Sequence, residues 1–337
     1  MTTDDVLGTA RPDPLHLHVD LPLSREYHPI GFRLRLATNA RDAMEAADEC
    51  WGGYSPEFSC APMEIRIIVG TEGGAASQPC FRLQRHLFSV VSDAHNFAMA
   101  DFRSQTACIY VSRETAADHS LLRWFFLESV AYTLLAQRHV APLHAATVAR
   151  SGTGILLCGA SGAGKSTLSF AAACAGWTYV SDDCTWLLTA GSDATAVGRP
   201  HQVRFRDDAP GLFPRLAGWD ARGRPNGKIS IEAPMSAFPE IRTALRCGVG
   251  GLAWLDRRRG ARPAMERVDP SEVARELLNS ASYGEEVDAM HERATRRLLA
   301  LPACRLQYES LDDGLRLLSE FGDAAGATAA GGAVQAG

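Results

Sequence analysis

The hydrophobic pattern changes its period along the chain, and these changes mark three zones. In the first zone, residues 1–117, apolar and charged side chains alternate in short runs such as 32–36 and 64–69. An alternation of period two is typical of a strand that buries one face. Together with a helical pattern near 40–50, these runs predict a smaller α+β domain that is rich in antiparallel strands.

The second zone, residues 118–139, has the pattern of a single apolar helix. Its apolar side chains recur at helical spacing from Leu121 to Leu135, and Asp118 is placed to cap the first turn. A helix with so few polar positions is expected to be buried. We therefore interpret this zone as a bridge that packs against the domain that follows it.

The third zone, residues 140–321, alternates predicted strands with predicted helices. The predicted strands are 144–148, 154–158, 177–180, 202–205, 228–231 and 251–255. The predicted helices are 166–175, 271–281, 285–300 and 311–321. Such an alternation favours an α/β domain. The remaining residues, 322–337, are almost all Ala and Gly without apolar periodicity, so we predict that this tail is disordered.

One segment of the third zone carries a phosphate-binding motif. Residues 159–166 fit G-x-x-x-x-G-K-[ST] without a mismatch, between a predicted apolar strand and a predicted helix. Backbone N–H groups of such a loop hold phosphate, so we expect ATP to bind here, with Lys165 at the outer phosphates and the Ser166 hydroxyl on Mg²⁺. The predicted nucleotide-binding residues are Gly159, Ala160, Ser161, Gly162, Ala163, Gly164, Lys165, Ser166 and Thr167.

Two carboxylates follow the next predicted strand. Asp182 and Asp183 come directly after 177–181, and ligands of open α/β sheets gather at the carboxyl ends of strands. One carboxylate would hold Mg²⁺ there, and the other would take a proton from an attacking hydroxyl. The alternative is that both aspartates cap the following turn.

His144 lies on the predicted strand that precedes the loop strand. A neighbouring imidazole can contact a catalytic carboxylate and tune its proton affinity. The alternative is a histidine that is satisfied within the core, which is the more frequent role of a lone histidine on an apolar strand. The loop and the aspartate pair favour the first interpretation.

Three segments, read in order, resemble the catalytic domain of the HPr kinase/phosphorylase family. They are Leu143-His-Ala-Ala146, the loop 159–166, and Gly176-Trp-Thr-Tyr-Val-Ser-Asp-Asp183. The resemblance implies an α/β P-loop domain of the HPr kinase type, with a mixed sheet. It also implies that Lys165 contacts phosphate, that Ser166 binds Mg²⁺, and that Asp183 is the proton acceptor next to His144. With Asp183 as the base, Asp182 is the carboxylate of the pair that we expect at Mg²⁺.

The sequence departs from this family at two points. Thr167 follows the loop serine where the family has Glu, and the family's Glu-Ile-Arg-Gly-Leu-Gly segment is missing. The string 240–242, Glu-Ile-Arg, lacks the glycine and lies too far downstream, so we treat it as chance. Asp207 or Asp208, which follow the predicted strand 202–205, could replace the missing magnesium ligand. The suitability of a carboxylate for Mg²⁺ is the only support for this substitution.

The pattern is closer to HPr-kinase-related proteins that are found beside peptide-modification genes. Some of these, in lasso-peptide pathways, phosphorylate a serine of a precursor peptide. The resemblance therefore implies an ATP-dependent kinase whose acceptor is a serine of a peptide or protein. Two alternatives stay open: a small-molecule kinase on the same core, and a non-catalytic ATP-binding regulatory module. Asp183 and His144 argue against the second alternative, because a pure binding module would need neither.

Composition and charge limit the classes of partner that we expect the protein to bind. A net charge of -5 weighs against a general nucleic-acid binder, and the lack of a long apolar stretch weighs against a membrane protein. The nine cysteines are scattered without a CxxC pair, which is typical of reduced thiols and predicts a cytoplasmic protein. The segment 203–228 carries several arginines, and we expect either a basic lip for a peptide or an ordinary solvated loop. The resemblance also leaves room for an oligomer.

Overall fold

Internal contacts divide the chain between Leu134 and Leu135. The computed structural model describes residues 19–334 except Arg224, Asn226, Lys228 and 278–282. Both units combine helices with β-sheets, so the chain is of the mixed α/β class. Over the range described, none of the helices combines the length and apolar character that a membrane span requires.

The described residues of the first unit are built on a seven-stranded sheet. Its strands are β1 (Leu23–Tyr27), β2 (Leu34–Thr38), β3 (Met63–Gly70), β4 (Cys80–Gln84), β5 (Leu87–Asp93), β6 (Asn96–Asp101) and β7 (Thr106–Ser112). Its helices are α1 (Arg41–Trp51), α2 (Arg113–Ala117) and α3 (His119–Leu121). A π-helical segment, Leu122–Glu128, then leads into α4 (Ser129–Ala136), which contains the division between the units.

The prediction of an antiparallel first sheet is wrong for its centre. The strand order is β1-β2-β3-β7-β6-β5-β4, and β3 is parallel to both β2 and β7. For β2 and β3 the reason is α1, which lies between them and carries the chain back in a crossover, as parallel neighbours require. The alternating pattern still identified the buried face, because Leu34, Leu36, Ile65 and Ile67 are fully buried.

In its described residues the second unit has twelve strands and four further α-helices. Its strands are β8 (Val140–Leu143), β9 (Ala146–Arg150), β10 (Thr153–Cys158), β11 (Thr178–Ser181), β12 (Thr185–Leu188), β13 (Thr195–Val197), β14 (Gln202–Phe205), β15 (Arg222–Gly223), β16 (Ile229–Pro234), β17 (Arg246–Arg257), β18 (Ala264–Arg267) and β19 (Ala303–Tyr308). Its helices are α5 (Lys165–Cys174), α6 (Pro270–Leu277), α7 (Glu285–Arg296) and α8 (Leu311–Val334).

A nine-stranded mixed sheet organises this unit. The order is β11-β9-β10-β17-β13-β12-β8, and β19 joins β17 while β18 joins β19. Strands β10, β17 and β19 are parallel, whereas β9 is antiparallel to both of its neighbours, β10 and β11. Apolar side chains of α5 and α8 cover one face of the sheet, and those of α6 and α7 cover the other.

A smaller sheet, β14-β16-β15, packs on the far side of α5. Phe170 of α5 is fully buried there, with the rings of Phe205, Phe213 and Phe238 at centroid distances of 4.9, 5.0 and 5.1 Å. All three rings meet Phe170 edge-on, the favoured geometry for aromatic pairs. This cluster fixes β14 against the helix that begins at the phosphate loop.

The prediction of one strand over 144–148 is wrong at its start. Strand β8 ends at Leu143, β9 begins at Ala146, and His144 lies in the break between them. The N–H of His144 donates to the carbonyl of Leu277 at 3.1 Å, and the N–H of Ala145 donates to that of Leu143 at 3.0 Å. Since neither donor enters the sheet ladder, the chain turns here and leaves His144 exposed.

The prediction of a disordered tail from Gly322 is also wrong. Helix α8 runs on to Val334, and only 335–337 lie outside the described residues. Gly322 lies against the Trp177 ring, and Ala325 is 2% exposed within the core that α8 shares with the sheet. Small side chains give little periodic signal, but here they let the helix approach that ring closely.

Two glycines of α8 give a matched test of this packing. A Cβ on Gly322 would lie 2.5 Å from Cη2 of buried Trp177, whereas a Cβ on Gly326 would meet only Thr153 Oγ1, at 3.9 Å. We expect Gly322→Ala to destabilise the protein by about 1–3 kcal/mol through overpacking. Gly326→Ala should instead stabilise it by up to about 1 kcal/mol through helix propensity. Chemical denaturation of both variants checks this, and equal stabilities would contradict the docking of α8.

Candidate active site

The predicted phosphate loop connects β10 to α5, and its backbone requires glycine. Gly159, Gly162 and Gly164 have φ values of 148°, 89° and 94°, in the region that favours glycine. A Cβ on Gly159 would also lie 2.8 Å from the carbonyl oxygen of Leu255. Ala160, Ser161 and Gly162 are exposed, so the outer side of the loop faces solvent.

A tyrosine that sequence reasoning missed supports the loop from beneath. Tyr308, at the end of β19, is 1% exposed, and its hydroxyl donates to the carbonyl oxygen of Ala163 at 3.3 Å. Burial raises the pKa of Tyr308 to about 12, so the hydroxyl stays protonated as a donor at neutral pH. Strand β19 was itself not predicted, so no local signal pointed to this contact.

Lys165 begins α5 and is almost completely buried. The residue is 6% exposed, and Nζ donates to the carbonyl oxygen of Gly159 at 2.9 Å. Desolvation lowers the pKa of Lys165, while the charge of Asp183 opposes that change. Within the described part of the chain Lys165 forms no salt bridge. A buried ammonium held by backbone carbonyls is well suited to pair with an anion such as phosphate, because burial strengthens that attraction.

The two predicted proton-handling residues meet at the same edge of the sheet as the loop. Because β9 runs antiparallel to β10 and β11, its amino end lies beside their carboxyl ends. His144 precedes that end, and Asp183 follows β11. The distance from His144 Nδ1 to Asp183 Oδ1 is 3.6 Å, and their side chains are 49% and 54% exposed. This is an ion-pair distance, longer than a hydrogen bond.

Buried hydroxyls fix the backbone on both sides of this pair. Thr185, two residues after Asp183, donates through Oγ1 to the carbonyl oxygen of Ala145 at 3.0 Å. Its oxygen also lies 2.6 Å from Ser181 Oγ and 2.7 Å from Thr147 Oγ1, and all three side chains are buried. Since Ala145 is the neighbour of His144, the network ties the turn that carries Asp183 to the break that carries His144.

Asp182 has a different environment from Asp183. It is 7% exposed, and its Oδ2 accepts a hydrogen bond from the N–H of Arg204 at 2.7 Å. Burial raises the pKa of Asp182, and the positive charges of Arg204 and Arg199 oppose that rise. The carboxylate therefore anchors β14, a role that the sequence did not indicate.

The two predicted magnesium ligands, Ser166 and Asp182, are in contact, but Asp182 makes this contact with its backbone. Ser166 Oγ donates to the carbonyl oxygen of Asp182 at 3.3 Å, rather than to its carboxylate. Oxygen donors of this kind suit Mg²⁺, which usually completes its coordination with water and substrate phosphate. Of the residues described, no three His, Cys, Asp or Glu side chains cluster as a metal site made by protein alone. The assignment of Ser166 and Asp182 to Mg²⁺ stays a prediction.

The segment after β14 brings an arginine to the loop. Nη2 of Arg206 lies 3.2 Å from the position that a Cβ would take on Gly162. The following Asp207 and Asp208 are exposed and form no side-chain hydrogen bond or ion pair with the residues described. Thr167, the last predicted nucleotide-binding residue, lies half-buried in the first turn of α5.

A separate depression of about 860 Å³ lies at the other end of α5 and contains none of the predicted site residues. Trp177 forms part of its lining, and two of its arginines pair with carboxylates of the same depression. Arg150 lies 3.3 Å from Asp323, and Arg316 lies 2.6 Å from Glu320. An arginine that already pairs with a carboxylate is expected to bind an anion more weakly than the buried Lys165 beside the loop.

Comparisons with known proteins find partial similarity to one protein family and to solved structures. The family model described as SynChlorMet cassette protein ScmC matches residues 108–199, which include the loop, His144 and both aspartates. No curated protein sequence matches the chain. Among solved structures, the HPr(Ser) kinase/phosphatase from Coxiella burnetii is similar over 53% of this chain and 96% of that chain, with 13% identity and a TM-score of 0.29. An overlap at this level does not define an activity.

Titration of Asp182 gives a test of its buried position. A raised pKa means that the folded protein holds a proton more tightly than the unfolded chain, so folding stability falls as pH rises above the ordinary carboxyl pKa of about 3.9. Asp182→Asn removes this titration and keeps an oxygen that can accept from Arg204. We expect the Tm of the variant, relative to the unchanged protein, to increase from about pH 4 to about pH 7.

Calorimetry without nucleotide or magnesium measures this difference. A Tm difference that stays constant or decreases over the same range would show that the pKa of Asp182 is not raised by folding.

Proposed function

We propose that this protein is an ATP-dependent kinase that transfers the γ-phosphate of ATP to a serine hydroxyl of a peptide or protein. The observation that carries the proposal is the reversed direction of β9, which sets His144 and Asp183 beside the loop that contains Lys165. A glycine loop at a helix amino end suits phosphate. A half-exposed carboxylate at the same edge suits an attacking hydroxyl.

In this proposal the loop and Lys165 bind the nucleotide. Backbone N–H groups of the loop and the amino end of α5 would bind the phosphates. Lys165 would exchange its bond to the Gly159 carbonyl for one to the outer phosphates, where its charge stabilises the transferring group. Ser166 and Asp182 would hold Mg²⁺, which supplies charge neutralisation on the phosphates when it is bound.

Asp183 and His144 act on the hydroxyl that accepts the phosphate. The carboxylate of Asp183 would accept the serine proton as the serine oxygen bonds to the γ-phosphorus and the bond to ADP breaks. His144, 3.6 Å away, would hold that carboxylate in place. The buried hydroxyls around Thr185 support the turn that carries Asp183, so the carboxylate is oriented before substrate arrives.

The openness of this edge favours an acceptor presented on a larger chain. The loop residues 160–162 are exposed, and His144 and Asp183 are each about half exposed. Sites for small molecules usually enclose most of the ligand surface. A serine on an extended segment can reach an open edge, and the rest of its chain can contact the surroundings.

The basic segment 203–228 supports this acceptor class only in part. Arg215 pairs with Glu240 and lies over the Phe238 ring at 5.8 Å, so its charge is already engaged. Arg206 and Arg222 are exposed. Arg224 and Lys228, which the expected basic lip included, lie outside the described residues.

Lys165→Ala tests nucleotide binding. Removing the buried ammonium should weaken ATP binding by at least about tenfold, because a charge-assisted hydrogen bond to phosphate is lost. Turnover should disappear. Calorimetric titration with ATP and magnesium measures the affinity, and a melting curve verifies that the variant is folded. Binding and turnover equal to those of the unchanged protein would refute the assignment of the loop.

Asp183→Asn tests phosphoryl transfer and the acceptor together. The protein would be incubated with labelled ATP, magnesium, serine-bearing precursor peptides from its own genome and a panel of small metabolites. We expect label on a peptide serine with the unchanged protein, a reduced rate with His144→Ala, and none with Asp183→Asn, which should still bind ATP. Label on a metabolite alone would overturn the acceptor, and full activity of Asp183→Asn would overturn the base.

A further inference from the structure

One cation beside the loop is not used by the mechanism above. Arg206 directly follows β14, and its guanidinium lies over the exposed middle of the loop. Nη2, Cζ and Nη1 lie 3.2, 3.7 and 3.8 Å from the position that a Cβ would take on Gly162. Gly162 leaves this space to the guanidinium, because an added side chain would press against it.

Two anchors place Arg206 there. Val203 and Phe205 of β14 are buried in the aromatic cluster that surrounds Phe170, and the N–H of Arg204 donates to the buried Asp182 carboxylate at 2.7 Å. The residue that follows β14 is therefore held within reach of the loop by packing on one side and by a charge-assisted hydrogen bond on the other. The position does not depend on a salt bridge of Arg206 itself.

The charge of Arg206 is not engaged by the part of the chain that the structure describes. Its side chain makes no hydrogen bond or ion pair there, although Asp207 and Asp208 follow it directly. Arg204 and Arg215, in the same segment, contact Glu232 and Glu240. An exposed guanidinium over a phosphate-binding loop presents a planar set of donors that matches two phosphate oxygens at once.

We propose that Arg206 binds the phosphate chain of the nucleotide from the open side of the loop, opposite the buried Lys165. The inference rests on the proposed function and adds a second cation to it. The phosphates would lie between the ammonium at the base of the loop and the guanidinium above it. As charge shifts onto the transferring group and the leaving ADP, both cations stabilise it.

Arg206→Ala, Arg206→Lys and a control, Arg296→Ala, test this in the full chain. Arg296 is an exposed arginine on α7 that, among the residues described, pairs only with Glu292 of the same helix, at 3.7 Å, so its loss should matter little. Calorimetric titrations would use ATP with magnesium and, separately, inorganic tripolyphosphate with magnesium. Tripolyphosphate isolates the contact to phosphate from any contact to the nucleoside.

We expect Arg206→Ala to weaken the binding of both ligands by a similar factor, roughly tenfold to a hundredfold. Arg206→Lys should recover part of that loss, and Arg296→Ala should bind like the unchanged protein. All variants should melt at the same temperature without ligand, because Arg206 is exposed.

Two results separate failure of this inference from failure of the proposed function. If the unchanged protein binds ATP tightly and Arg206→Ala binds both ligands within a factor of two of it, Arg206 is no phosphate ligand and the kinase proposal stands. If the unchanged protein binds neither ATP nor tripolyphosphate, both proposals fall.

Discussion

The candidate site depends on the direction of one strand. Strand β9 runs antiparallel between β10 and β11, which therefore point the same way. Their carboxyl ends and the amino end of β9 meet at a single edge of the sheet. The phosphate loop, the Asp183 turn and His144 converge there although they come from three separate stretches of sequence. Had β9 been parallel, His144 would lie at the opposite edge, about a strand length away.

Burial then assigns different roles to two neighbouring carboxylates. Asp182 is buried and bonded to the backbone of β14, whereas Asp183 is about half exposed and faces His144. The first carboxylate connects the turn to the small sheet that packs on α5, so the arginine after β14 reaches the loop. The second carboxylate, that of Asp183, is exposed enough for a substrate to contact it. One dipeptide thus supports the architecture of the site and supplies its candidate base.

Sequence patterns predicted the parts of the site whose residues lie close together along the chain. The loop, the helix after it and the aspartate turn each carry a local signal in glycine, in small residues or in position after an apolar strand. His144 was named from its motif but placed on a strand, because the break depends on a hydrogen bond to distant Leu277. Tyr308 reaches the loop only through tertiary packing, so no local pattern identified it. Arg206 belongs to the basic segment 203–228 that the sequence singled out, but its position over Gly162 depends on how β14 packs. The helix beyond Gly322 was missed for a similar reason, since its contact with Trp177 supplies order that an Ala/Gly-rich segment does not signal.

A crystal structure with magnesium and a non-hydrolysable ATP analogue tests the convergence of these parts most directly. The account predicts that the β- and γ-phosphates bind the N–H groups of the loop and that Lys165 Nζ leaves the Gly159 carbonyl for a phosphate oxygen. It also predicts that the γ-phosphorus faces the edge where Asp183 and His144 meet. A nucleotide bound elsewhere, such as in the depression beside Trp177, or a γ-phosphate directed away from Asp183, would contradict it.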